Sequence, residues 1–164
     1  MRFVACLMVA GLAGCTGPGG VVPGPSALAD VERTMGAPAL SWRAPDGSVR
    51  LAYPRGPMGY QTWMVLADPA GSVVRIENVL DDNHFAEIRP GMSKDDVLAV
   101  LGPPQPAWTR YFPARDELAW EWRYCDDWHA ASRFDVLFDA TLGTVRSTLR
   151  VREECRDGAC FCAR

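Results

Sequence analysis

The chain reads as an α+β protein built from two tandem units, each a helix laid on an antiparallel sheet. Three observations carry that expectation. First, the sequence repeats. Asp30-Val31-Glu32-Arg33-Thr34-Met35-Gly36-Ala37-Pro38 lines up with Asp96-Val97-Leu98-Ala99-Val100-Leu101-Gly102-Pro103-Pro104, with Trp42 and Trp108 at the same spacing of 66. Asp68-Pro69-Ala70-Gly71-Ser72-Val73 likewise answers Asp139-Ala140-Thr141-Leu142-Gly143-Thr144-Val145. Second, each copy opens on helical spacing; third, each continues in short runs bounded by turn residues. Two copies make a pseudo-symmetric domain rather than a solenoid, which needs more repeats.

The second copy marks its helix most clearly. Ser93 is a good N-cap, and Asp96 three residues on completes a capping-box-like pair. Met92 before the cap and Val97 at the fourth helical position can form a hydrophobic staple. Val97, Leu98 and Leu101 share a face; Gly102 then ends the helix and Pro103-Pro104 forbid its continuation. A shorter helix is expected over Asn83–Ile88, capped by Asp82. In the first copy Leu28, Val31 and Met35 form the matching stripe, with Ser26 as the expected cap.

Strands follow each helix. The first copy offers Leu40–Ala44, Ser48–Tyr53, Gln61–Ala67 and Ser72–Val79, with Pro45-Asp46-Gly47 and Asp68-Pro69-Ala70-Gly71 as turns. The second offers Ala107–Phe112, Glu117–Cys125, Ser132–Asp139 and Thr144–Arg152. Leu118, Trp120, Trp122 and Tyr124 alternate with Ala119, Glu121, Arg123 and Cys125, so the aromatic set belongs in a core under the helices. Each sheet is expected to have one dry face and one wet face.

Ahead of these units, Arg2 and the ten apolar residues Phe3 to Leu12 read as a secretory leader over residues 1–14. A membrane-spanning helix needs roughly 20 such residues. Leu12-Ala13-Gly14-Cys15 resembles the lipobox of bacterial lipoproteins, and that resemblance implies a diacylglycerol and palmitate on Cys15. An ordinary signal peptide, with Cys15 incidental, is the alternative. Thr16 stands where an aspartate would imply inner-membrane retention, so the expected location is the outer membrane, facing the periplasm. Residues 15–25 are expected to be a flexible tether, 26–80 the first unit, 82–153 the second and 154–164 a cysteine-rich tail.

Without Arg2 the balance is 16 basic against 20 acidic side chains. A chain so balanced lacks the basic excess of a general nucleic-acid binder. Hydrophobic content of 48% with 23% charged residues is globular rather than disordered composition. Cys125, Cys155, Cys160 and Cys162 remain after the leader and Cys15, which suggests two disulfides with three possible pairings. A four-thiolate metal site is the rival, but the spacing lacks paired CxxC knuckles, and no metal or cofactor is expected. Cys125-Asp126-Asp127-Trp128-His129 could bind a metal or share a proton; a polar hairpin loop is the simpler reading. His84 has no evident partner. With two histidines, no serine-nucleophile motif and no phosphate loop, the chain does not read as an enzyme. Arg146, Arg150 and Arg152 are expected on the wet face of the last strand with Arg123 beside them, either solvated or meeting an acidic partner or anionic headgroups.

Residues 83–104, Asn83-His84-Phe85-Ala86-Glu87-Ile88-Arg89-Pro90-Gly91-Met92-Ser93 and the helix after them, resemble the signature of the SmpA/OmlA family. These small outer-membrane lipoproteins include the E subunit of the β-barrel assembly machinery. Trp120-Glu121-Trp122-Arg123-Tyr124 echoes the family's aromatic strand, and residues 134–149 its closing hairpin. The resemblance covers 82–151 and is partial over 26–80, where the Gly-Met-Ser entry is missing. Doubling and the cysteine-rich tail depart from the single-unit subunit. The tandem is similar in architecture to β-lactamase inhibitory proteins, which use the wet face of a long sheet, an analogy of fold alone. The resemblance implies a non-catalytic scaffold or binding subunit in outer-membrane protein assembly or envelope integrity. Its partners would be the membrane, through the lipid, and barrel-assembly subunits or another envelope protein. An inhibitor or sequestering module using the exposed sheet face is the second reading.

Overall fold

The computed structural model describes residues 18–56, 58–156 and 158–162. Cys15 and the leader expected over 1–14 lie outside the described residues. The first unit comprises α1 (Leu28–Met35), β1 (Leu40–Arg43), β2 (Val49–Pro54), β3 (Thr62–Ala67) and β4 (Val73–Asn78). The second comprises α2 (Asp82–Phe85), α3 (Lys94–Leu101), β5 (Arg110–Phe112), β6 (Glu117–Cys125), β7 (Ala131–Asp139) and β8 (Val145–Arg152). Each set of four strands is an antiparallel meander in chain order. The protein is therefore a two-unit α+β fold, and β9 (Glu154–Cys155) and β10 (Gly158–Ala159) add a small hairpin in the tail.

The duplication extends to backbone detail. α1 and α3 are both eight residues long and 66 positions apart, with Val31 and Val97 wholly buried at the same helical position. Each is closed by a glycine with positive φ: 80° at Gly36 and 72° at Gly102. Before each helix the chain pairs with the start of the last strand. Val73 N–H donates to Ser26 O at 2.9 Å, and Val145 N–H to Met92 O at 2.8 Å. Both last strand pairs carry an irregularity, at Leu66/Ala67 and at Leu137/Phe138.

Helix starts follow the expected chemistry in the second copy. Ser93 Oγ accepts from Asp96 N–H, and Asp96 Oδ2 accepts from Ser93 N–H at 2.9 Å. In the first copy the cap is Ala27, not Ser26, and only the return bond from Ala27 N–H to Asp30 survives. Ser26 instead accepts from Val22 N–H. The short helix is Asp82–Phe85, capped by Asp81 one residue earlier than expected and ending before Ile88. Asp81 Oδ1 takes both the His84 N–H and a contact to the His84 ring, so His84 does have a partner. The strand expected from Ala107 starts at Arg110, because Pro106–Trp108 forms a 3-10 turn.

One dry and one wet face per sheet does not describe the first sheet, which is covered on both sides. Val49, Leu51, Tyr53, Val65 and Val73 pack with Val31 under α1, in a core that also takes Val21. On the other face Ala52 and Met64 join Val97 and Leu101 of α3 and Trp122, Phe134, Val136 and Phe138 of the second sheet. The layers thus run α1, sheet one, α2–α3, sheet two. Trp120, Trp122 and Tyr124 lie in this second core as expected, with Trp122 Nε1 donating to Gly102 O at 3.3 Å. The tether expected over 15–25 is also docked within its length, since Val21 is buried and Gly24 N–H donates to Val73 O at 2.7 Å.

Gly36 and Gly102 differ in what surrounds them. A Cβ on Gly36 would meet open space, whereas one on Gly102 would stand 2.8 Å from Thr62 Cγ2 and 3.4 Å from Ala52 Cβ. Both have a φ/ψ combination that only glycine adopts readily, worth about 1–3 kcal/mol for another residue. Gly36→Ala should cost that strain alone, and Gly102→Ala about 1–3 kcal/mol more through overpacking. Urea unfolding of the oxidised protein measures both; equal losses would show that the second copy's glycine is not a packing site.

A groove between the two units and the charged chain behind it

The end of the molecule far from the N-terminal entry is where the two units create a concavity. Residues 24–28 enter beside the β3–β4 turn, with Ala27 bridged to Ser72 and Leu28 N–H donating to Gly71 O. The β2–β3 connection leaves from the opposite end of the same strands, roughly 20 Å away for six extended residues. There a groove of about 440 Å3 is walled by Pro54, Gly56 and Gly59 from unit one and by Pro103, Pro104 and Trp122 from unit two. Its lining is mostly apolar, with the side chains of Gln61, Gln105 and Arg123 among the polar groups. Pro103–Pro106 reaches this place because Gly102 turns the chain off α3 and Gln105 N–H donates to Glu121 O, alongside β6 beyond the end of β5.

Arg123 is the residue that joins the units there. Its guanidinium donates to Met58 O at 3.1 Å and stands 4.3 Å from the Tyr60 ring centroid, both in the β2–β3 connection. Glu153 holds it from the other side with two bonds, 2.7 Å and 2.5 Å. Fork-to-fork pairing of this kind fixes both charge and orientation. At 13% exposure the Arg123 side chain is largely desolvated. The bonds to Glu153 and that anion's charge hold its guanidinium in the protonated form.

From Glu153 the charges continue across the outer face of sheet two. Arg133, directly opposite Arg123 on β7, reaches Glu121 at 3.3 Å and Glu153 at 3.8 Å. Glu121 in turn sits directly opposite Asp135. Asp135 Oδ1 and Arg133 Nε are buried without hydrogen-bond partners. Burial pushes the Asp135 carboxyl up to about 6, helped by the Glu121 charge and by a hydrogen bond between the two carboxyl groups. A second anion on the facing strand makes ionisation of Asp135 costlier still.

The four arginines expected on one wet face are divided. Arg123 lies on the outer face, but Arg150 pairs with Phe134 and Arg152 with Ser132 in register, which turns both toward the helix side. The irregularity at Leu137/Phe138 shifts the alternation by one, an event that a strict period of two does not foresee. Arg150 binds Asp82 at 3.0 Å and lies 5.6 Å from the Phe85 ring; Arg152 binds Asp126 at 3.1 Å. Arg146 is tied at the far end to Asp139 and to Arg115 O, both at 2.7 Å. The four guanidinium groups thus share no single face, and each is held by its own carboxylate.

The Cys125–His129 stretch is a hairpin loop. Asp126 accepts from Trp128 N–H and Ala130 N–H and meets Ser132 and Arg152, so its carboxylate is spent on the turn. Burial acts against its charge, but those bonds prevail and hold its carboxyl below the usual range. Among the described residues no cluster of His, Cys, Asp and Glu has the arrangement to hold a metal ion. The four cysteines form Cys125–Cys162 and Cys155–Cys160, one of the three possible pairings. The first fastens the tail to the tip of the β6–β7 hairpin, where Trp128 and Phe161 are each 79% exposed.

Sequence reasoning missed both the groove and the carboxyl pair. Pro103-Pro104 was legible only as a helix stop, and residues 56–60 only as the gap between two expected strands. Its one available signal was a Gly- and Pro-rich stretch longer than the tight turns elsewhere. The Asp135 carboxyl sets a pH dependence of stability. Its folded value lies above the ordinary 3.8, so the folded state binds the proton more tightly and the cost of ionisation appears as pH rises from about 4 to about 6. Asp135→Asn should therefore stabilise the protein by about 1–3 kcal/mol at pH 7.5 and by little at pH 4. Denaturant midpoints at the two pH values check this; an equal shift at both would remove Asp135 as the cause. No protein-family model, curated protein or solved structure matches this chain.

Proposed function

We propose that the protein is a non-catalytic binding subunit of the bacterial outer-membrane envelope, anchored by lipid on Cys15 and facing the periplasm. The groove between the two units carries this reading. Its size lies within the range of pockets that take ligands or partner side chains. Prolines, glycines and one tryptophan line it, a composition suited to apolar side chains of an extended protein segment rather than to chemistry on a bound substrate. Placement supports the same reading. The chain enters the fold beside the β3–β4 turn, so a lipid at Cys15 would hold that end toward the bilayer and direct the groove outward. Anchoring also raises the effective concentration of the binding end near membrane-bound partners. Among the described residues no helix is long and apolar enough to cross a membrane; this reading assigns attachment to the lipid. By the resemblance of residues 82–151 to SmpA/OmlA lipoproteins, the partner is a component of outer-membrane protein assembly.

The alternative, an inhibitor acting through the outer face of sheet two, draws on the exposed Leu149 and Val151 there. Photo-crosslinking in living cells separates the two. p-Benzoylphenylalanine placed at Met58 or Pro104 should give one discrete adduct with an envelope protein. The same probe at Leu142, on the β7–β8 turn at the anchored end, should not. Adducts from Leu149 alone would favour the inhibitor, and a uniform pattern at all positions would overturn the groove. Cys15→Ser should move the protein out of the membrane fraction; unchanged fractionation would overturn the anchor.

A further inference from the structure

The charged chain behind the groove has features that a simple surface network lacks. It is continuous from unit one to the middle of sheet two: Met58 O and Tyr60, then Arg123, Glu153, Arg133, Glu121 and Asp135. It contains two cations and three carboxyl groups, so it is neutral with Asp135 protonated and carries −1 when Asp135 is ionised. Its two unpartnered buried atoms, Arg133 Nε and Asp135 Oδ1, belong to residues two apart on one strand face. Among the described residues, Glu121 and Arg133 are the charges that act on Asp135. β8 offers Ser147, Leu149 and Val151 opposite Leu137, Asp135 and Arg133, and β5 offers Arg110 only against Ala119.

We propose that this chain is a proton-sensitive latch on the groove, tightening the β2–β3 connection at Met58–Tyr60 when Asp135 holds a proton and loosening it when the proton leaves. With the proton in place, the Asp135 carboxyl can donate to Glu121, and Arg133 remains between Glu121 and Glu153. Glu153 then has two cations to hold it, and it fixes Arg123 over the Tyr60 ring with its bond to Met58 O. Loss of the proton leaves two anions facing each other, and Arg133 is the cation that already meets Glu121 and acts on Asp135. Drawn toward Asp135, it leaves Glu153, whose contact to Arg133 Nε is already long at 3.8 Å. Glu153 then has Arg123 as its single partner and loses part of its positional constraint. That loss passes to the connection that forms one wall of the groove. The inference goes beyond the binding role proposed above and does not depend on the partner's identity.

Amide NMR of the oxidised, isotope-labelled protein from pH 4.5 to 8 tests it. Met58, Gly59 and Tyr60 amides should shift together with a midpoint near 6. Their exchange, corrected for intrinsic rate, should speed by about threefold or more across that midpoint. Asp135→Asn, which cannot ionise, should abolish the titration and leave the connection in its low-pH state. Glu153→Gln should leave it loosened at every pH. A connection that does not titrate in the wild-type protein, or that titrates unchanged in Asp135→Asn, would overturn the latch. Should Asp135→Asn fail to fold, Glu121→Gln serves in its place. Removing the facing charge should lower the midpoint, and an unmoved midpoint would equally overturn it.

Discussion

The fold depends on how closely α3 approaches the first sheet. Gly102 ends that helix with its α-carbon against Thr62 and Ala52, a distance that leaves no room for a side chain. Its carbonyl takes the Trp122 indole from the other side. One residue is thereby fixed to both sheets. The same closeness lets Val97 and Leu101 fill a core shared by the two units. Burying rings of the size of Trp122 and Phe134 contributes on the order of 2–3 kcal/mol each. In the first copy, Gly36 ends an equivalent helix with nothing beside it. The duplicated element thus has two uses: a cover in one unit and a wedge in the other.

That wedge gives the molecule two unlike ends. Where the chain enters, each unit closes on itself through the same pairing of a pre-helix segment with its last strand. At the other end the β2–β3 connection, the Pro103–Pro106 segment and the tail converge from distant parts of the chain. The disulfide between Cys125 and Cys162 holds the tail there. The anchored, binding role proposed above would use this polarity, because the end that binds would not be the end that is tethered.

Sheet two shows what happens when polar groups occupy a sheet face without full exposure. An ion pair out of water must recover a desolvation cost of several kcal/mol through good geometry and further hydrogen bonds. Arg123 and Glu153 meet that condition. Asp135 does not, and burial pushes its carboxyl up to about 6. The retention of such a group in a face that could have been apolar is what gives the latch its physical basis.

The helices, their glycine ends, most strands and the aromatic core strip were legible in the sequence, since each is set by neighbours within a few positions. Ser93 and Asp96 cap one helix whatever else folds, and Leu101-Gly102-Pro103 must stop it. Period-two alternation placed Trp122 and Tyr124 correctly. It failed for Arg150 and Arg152 because the irregularity at Leu137/Phe138 is a property of strand pairing, not of composition. Covering of the first sheet on both faces, the groove and the facing of Glu121 with Asp135 were decided only in three dimensions. Each requires knowing which residues far apart in the chain meet, and the contact between the two units is set by shape and packing rather than by any local pattern. The sequence by itself determined two similar units; the tertiary structure decided that they share one core and leave an opening between them.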